Sequence, residues 1–127
     1  PAEPLDGILL DAPCTGTGVL RRRPDIRWRR QPEDLRELVS LQQSLLNHAA
    51  SLLKRGGRLV YSTCALEYEE NEAQIRRFLA AHPDFAVAIP ENFAPHFRGE
   101  RSAEGVLILP HQEEPDGFFM TRLVKLR

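Results

Sequence analysis

Residues 33–54 most limit what this chain can fold into. Leu35, Leu38, Val39, Leu45, Leu46, Ala49, Leu52 and Leu53 recur there at spacings of three and four. That spacing lays them along one wide face of an α-helix. Pro32 suits a first helical turn, and Glu33 and Asp34 sit at the positive end of the helix dipole. Lys54 and Arg55 fall at the negative end, and Gly56-Gly57 supplies a stop. The pattern therefore predicts a helix over 33–54. A face that broad has to be buried, and the flanking segments say against what. Residues 5–10 (LDGILL) precede the helix and 58–63 (RLVYST) follow it. Each is a short apolar run stopped by a polar loop, as a buried strand would be. Strand, helix, strand in this order calls for a parallel pair with the helix packed on it.

The rest of the chain extends the same plan. A second helix is expected over 70–81, with Ala73, Phe78 and Leu79 inward, and His82-Pro83 ends it. Asn71 and the acids around it read as the cap of that helix. Residues 85–89 make a short strand. Residues 106–109 and 118–124 read as a terminal antiparallel hairpin whose polar loop contains Pro115, Asp116 and Gly117. The expected fold class is α/β, with parallel strands, helices and a C-terminal antiparallel hairpin. Ligands on such sheets sit at the carboxyl ends of the strands.

Composition narrows the class further. The chain has 127 residues, 42% of them hydrophobic and 28% charged, as in an ordinary soluble domain. No apolar run approaches the roughly 20 residues that span a bilayer, so no membrane partner is expected. The start lacks a charged segment leading into an apolar core, so no signal peptide is expected and the location is read as cytoplasmic. It begins at Pro1 rather than Met, consistent with a piece of something longer. The formal net charge is −1, but the charges are uneven. Arg21, Arg22, Arg23, Arg27, Arg29 and Arg30 face Asp25 alone, and the remainder is net acidic. Lysine occurs only at Lys54 and Lys125, so the basic residues are nearly all arginine. The guanidinium fork suits phosphate and stacks on bases.

The two cysteines, Cys14 and Cys64, fall just past the carboxyl ends of the two expected parallel strands. That puts both on one rim of the sheet. A rim thiol can be inert, bonded to its partner, a metal ligand or a nucleophile. Nothing here has C-x-x-C spacing, and His48, His82, His96 and His111 are scattered, so no metal site is expected. A disulfide is open if the strands are neighbours, but two cysteines are few for a secreted protein, and both read as thiols in a reducing compartment. Nucleophilic use needs a lowered thiol pKa, which loop amides and nearby arginines can supply.

D-A-P-C at Asp11–Cys14 and S-T-C at Ser62–Cys64 resemble the two signature loops of the RNA cytosine-C5 methyltransferases of the Sun/Fmu (Nol/Nop/Sun) family. The segment T-G-T-G-V-L-R-R-R-P-D-I-R-W-R-R between them is similar to the bacterial small-subunit ribosomal RNA branch. E-E-N-E at Glu69–Glu72 and D-G-F-F at Asp116–Phe119 also match, in the right order along nearly the whole chain. The resemblance implies a Rossmann-like fold dependent on S-adenosylmethionine, acting on carbon 5 of cytosine in RNA, with ribosomal RNA as the expected partner. It implies Cys64 as the nucleophile that adds to carbon 6 of the ring, and Cys14 as the group that assists release after carbon 5 loses its proton. Asp11 would contact the methionine part of the cofactor and favour the protonated ring nitrogen. Pro13 would shape the loop at the cofactor and offer its carbonyl to the base, although turn punctuation alone explains it equally well. Arg21, Arg22, Arg23, Arg27 and Arg29 with Trp28 would contact RNA through phosphates and stacking, with the target base flipped out. The plainer alternative is a solvated arginine loop with Trp28 in the core.

One part of the family's pattern is missing. No glycine-rich loop after a strand, followed by a ribose-binding acid, precedes Asp11, and Gly16-x-Gly18 is a weak substitute. Ala65 stands where the family usually has serine. Residues 1–127 are therefore expected to be the C-terminal half of a catalytic domain, lacking the cofactor-loop half and the parent's N-terminal part. Alone, this piece should neither bind cofactor tightly nor methylate. The competing class is a non-catalytic RNA-binding or assembly module that keeps the loops.

Overall fold

The computed structural model describes residues 3–16, 32–90, 99–108 and 117–127. The expected RNA contacts at Arg21, Arg22, Arg23, Arg27, Trp28 and Arg29 lie outside the described residues, as does the loop of the terminal hairpin.

The first strand, β1, is Leu5–Asp11, and helix α1 is Pro32–Leu52, with Glu33 and Asp34 in its first turn. Strand β2 is Leu53–Thr63, paired parallel to β1 from Leu5↔Leu53 to Asp11↔Ser62. A single 3-10 turn, Tyr68–Glu70, leads through Asn71 into helix α2, Glu72–Ala81. The remaining strands are β3 (Phe85–Val87), β4 (Gly99–Arg101), β5 (Val106–Ile108) and β6 (Phe118–Lys125). The sheet runs β1-β2-β6-β5-β4, and β3 also pairs with β6. Among the described residues only β1 and β2 pair in parallel; β6 is antiparallel to β2, β3 and β5, and β4 to β5. The expected α/β class and its terminal antiparallel pair are both present.

The alternation of side chains along β2 and β6 decides where the core lies. Leu59 and Tyr61 face one side with Phe119 and Leu123, and all four are fully buried. α1 lays Leu46, Ala49 and Ala50 on that side, and α2 adds Ile75 and Phe78. Ile8 and Leu10 of β1 join them from the sheet's end. On the opposite face Val60 and Met120 border a hollow of about 140 Å³ with Ile89 and Pro90. Leu9 on that same face is 72% exposed.

The α1–β2 junction differs from the expectation. The helix stops at Leu52, so Lys54 and Arg55 are not in its last turn. Leu53 is already paired with Leu5, and the register then slips before Gly7 meets Arg58. Gly56 absorbs the slip at φ 81°, a left-handed conformation that glycine adopts freely. A basic residue does cap the helix, but from the far end of the chain. Lys125 Nζ donates to the carbonyls of Leu53 (3.0 Å) and Ala50 (3.4 Å). Lys54 instead pairs with Asp6.

Candidate active site

Side-by-side pairing brings the ends of β1 and β2 to one rim. Asp11 sits opposite Ser62, and the Ala12 amide donates to the Ser62 carbonyl at 2.8 Å. The loops that follow carry the two cysteines, and the Cys64 amide donates to Cys14 Sγ at 3.3 Å. The strand ends predicted a shared rim, and on it these residues, fifty positions apart, are in direct contact. No disulfide joins them. Cys64 is exposed and Cys14 half-buried. Burial pushes the Cys14 thiol above its ordinary value; the amides of Cys64 and Gly16 pull it back, while Glu70 and Cys64 add a further upward push. Cys14 is therefore held as a thiol at neutral pH, which makes it a poor nucleophile.

Asp11 is exposed on the same rim, and one carboxylate oxygen accepts from Ser62 Oγ at 3.1 Å. Pro13 is exposed too, but its carbonyl already accepts from Gln42 Nε2 at 2.8 Å. One lone pair is left for any donor on a base.

Beneath this rim lies a buried polar network that sequence reasoning missed. Glu70 is fully buried. Its carboxylate accepts from the Thr15 amide (2.9 Å), Thr15 Oγ1 (2.7 Å) and Gln42 Nε2 (3.1 Å). The Glu70 carbonyl accepts from the Tyr61 hydroxyl at 2.7 Å, and burial pushes that phenol far up, so it stays a donor. Gln74 Nε2 donates to Gln42 Oε1 (3.2 Å) and to the Val39 carbonyl (2.6 Å), tying α2 to α1.

Asn71 corrects an expectation. It stands at the N-cap of α2, yet its side chain makes no capping hydrogen bond. Instead Asn71 Oδ1 accepts from Thr63 Oγ1 at 2.6 Å, and Nδ2 donates to the Ala65 carbonyl at 2.9 Å. The side chain is spent on the loop of Cys64. Glu72 does occupy the first turn of α2, where a carboxylate suits the dipole. A signal for Gln42 was present in the sequence: it is a polar residue at a position where the apolar stripe of α1 continues. Thr15 and Gln74 carried no such mark.

The rim can therefore present an exposed thiol, a second thiol touching its loop, and an exposed carboxylate. An exposed Cys can add to an electron-poor carbon, and a neighbouring group can exchange a proton. Among the described residues no cluster of three His, Cys, Asp or Glu could hold a metal ion, and no helix is long and apolar enough to cross a membrane.

Known proteins resemble this chain along nearly its whole length. Residues 2–124 match the family model described as 16S rRNA methyltransferase RsmB/F. A Synechocystis sp. protein described as a probable ribosomal RNA small subunit methyltransferase B is 48% identical over 98% of this chain and 28% of its own length. The ribosomal RNA small subunit methyltransferase B of Klebsiella pneumoniae is 47% identical over 98% of this chain and 27% of its own. The chain thus spans little more than a quarter of these relatives. Among solved structures, PH0851 superposes with a TM-score of 0.85 at 39% identity, covering 94% of this chain and 26% of that one. NSun6 from Pyrococcus horikoshii with SFG superposes with a TM-score of 0.81 at 32% identity, covering all of this chain and 32% of that one.

Proposed function

Because this chain belongs to the RsmB/F family of 16S rRNA methyltransferases, we propose that it carries the thiol half of an active site that methylates carbon 5 of cytosine in ribosomal RNA. Its relatives are three to four times as long, so we assign residues 1–127 to the C-terminal part of a catalytic domain. The outer edge of β1, unpaired among the described residues, and the exposed Leu9 are where a strand and a covering layer from the rest of the parent would pack. Work on ribosomal RNA would set the protein in the cytoplasm.

The donor set at the rim fits the cofactor in part. Asp11 holds an exposed carboxylate with one oxygen not engaged by Ser62, and it would hold the methionine end of S-adenosylmethionine beside the Pro13 turn. A glycine-rich loop and a ribose-binding acid would come from the rest of the parent. When bound, S-adenosylmethionine supplies an electrophilic methyl group.

The single observation that carries the reading is the contact between the Cys64 amide and Cys14 Sγ, with Cys64 the exposed member. The Cys64 thiolate adds to carbon 6, forming an S–C bond and shifting the ring's π electrons toward carbon 5, which becomes nucleophilic. After carbon 5 is methylated, a base takes its proton. The electrons of that C–H bond re-form the double bond and expel the Cys64 thiolate. Cys14 assists this last step, and Asp11 favours the protonated ring nitrogen that makes carbon 6 electrophilic. Arg21, Arg22, Arg23, Arg27, Trp28 and Arg29 would grip the RNA.

The test is methyl transfer by the parent-length protein to small-subunit ribosomal RNA, read as 5-methylcytosine by nucleoside mass spectrometry. Loss of product in Cys64→Ser, with RNA binding kept, is expected. Full activity in Cys64→Ser would overturn the assignment of the nucleophile, and RNA binding by the native protein with no 5-methylcytosine formed would favour a module that only binds RNA.

A further inference from the structure

Glu70 and Asn71 are consecutive, fully buried, and turned toward different loops. Glu70 grips Thr15, the residue after Cys14, through both its amide and its hydroxyl. Asn71 grips Thr63 and Ala65, the residues on either side of Cys64. Neither side chain is used to start α2: no side-chain bond caps that helix. A buried carboxylate is costly to desolvate and persists only where its lone pairs are well used. Here three donors from two separate elements use them. The Glu70 carbonyl is held by Tyr61 from β2, and the Asn71 carbonyl by the Ile75 amide of α2. The dipeptide is therefore fixed at its own backbone before it reaches for either loop. One rigid peptide unit is thus bonded to both cysteine loops, which the Ala12–Ser62 bond and the Cys64 amide–Cys14 contact also hold side by side.

We propose that Glu70 and Asn71 are positioning residues that divide the reaction between them, Asn71 placing Cys64 for adduct formation and Glu70 placing Cys14 for adduct release. This rests on the thiol mechanism proposed above, but the placement itself can be read without RNA. A displacement on the order of 1 Å can cost about 100-fold in a step that needs aligned reactants. Loosening one loop should thus slow one step and leave the other.

The experiment uses the parent-length protein, with Glu70→Gln and Asn71→Asp as near-isosteric variants beside Asn71→Ala. Melting curves and RNA binding are measured on each. Adduct formation is followed on RNA carrying 5-fluorocytosine, and adduct persistence on RNA with ordinary cytosine. Asn71→Ala is expected to slow adduct formation by on the order of 100-fold, with RNA affinity unchanged. Asn71→Asp keeps the acceptor for Thr63 and should recover part of that rate. Glu70→Gln is expected to form adduct at close to the native rate and then retain it on ordinary cytosine, where the native protein releases it. In parallel, iodoacetamide labelling without RNA is followed over pH, and rates are compared at the alkaline plateau, where loss of the Glu70 charge no longer changes the thiolate fraction: Glu70→Gln should speed Cys14 labelling alone, and Asn71→Ala should change Cys64 labelling alone. Equal slowing of both steps in both variants, or unchanged labelling at both cysteines, would overturn the division of roles. If the native protein forms no adduct while labelling follows the expected pattern, the thiol mechanism falls and the positioning of the loops stands.

Discussion

Cys14 and Cys64 differ in surroundings more than in sequence context. Cys14 is half-buried and kept as a thiol mainly by burial, while Cys64 is exposed. Near neutral pH iodoacetamide should therefore label Cys64 several-fold faster than Cys14, and Cys14 labelling should climb only above its ordinary value of 9.0. Peptide mass spectrometry against time checks both. Glu72 gives a stability prediction. Burial pushes its carboxyl up; its own backbone amide pulls down, Glu104 and Glu100 push up, and Arg76 pulls down. Its Oε1 is buried with no hydrogen-bond partner among the described residues. A carboxyl raised on folding favours the protonated folded state. Its stabilisation is present below the ordinary value of 4.5 and lost as pH rises through the folded-state value. Glu72→Gln should therefore stabilise the fold at neutral pH, by under about 1 kcal/mol because water screens a partly buried group, and so raise the melting temperature. The gain should vanish in acid; a gain that persists there would contradict the cause given. At this scale the cysteines and Asp11 were legible in the sequence, because strand ends and loop composition locate them. The partners of Glu70 and Asn71 were not. Thr15, Gln42 and Thr63 are brought to that dipeptide only by the packing of α1 and α2 on the sheet.

Among elements, the α1–β2 junction shows where local signals give way. Gly56-Gly57 did announce a break, but pairing of Leu53 with Leu5 drew the strand's start to the helix's end. Propensity was overruled by a partner distant in sequence. The two glycines should respond differently to alanine. At Gly56 a Cβ meets nothing within 4 Å, so only the positive φ opposes it, at roughly 1 kcal/mol. At Gly57 a Cβ would lie 2.8 Å from the Lys54 carbonyl and 3.2 Å from that of Leu5, both backbone. Gly57→Ala should cost more, on the order of 2–3 kcal/mol. Denaturant midpoints of the parent-length variants read the order; a costlier Gly56→Ala would contradict it. Strand β4, three residues of Gly-Glu-Arg, had no pattern to read: its pairing with β5 defines it.

On the scale of the molecule, the described helices cover one face of the sheet and not the other. α1 and α2 bury one side of the sheet, while Leu9 stands 72% exposed on the other, beside Val60 and Met120. The order of motifs and the absent glycine-rich loop had already pointed to part of a larger domain, and a span of little more than a quarter of the relatives agrees. Residues 1–127 alone should give no calorimetric signal for S-adenosylmethionine at micromolar concentrations, and binding at that level would count against a missing cofactor half. The central claim is that Cys64 bonds to the target cytosine. It is tested most directly by incubating the parent-length protein with S-adenosylmethionine and 5-fluorocytosine RNA, which blocks release, and mapping the adduct by peptide mass spectrometry. The account predicts the nucleotide on the peptide that carries Cys64, with Cys14 unmodified and no adduct in Cys64→Ser. An adduct on Cys14 that survives Cys64→Ser would contradict it.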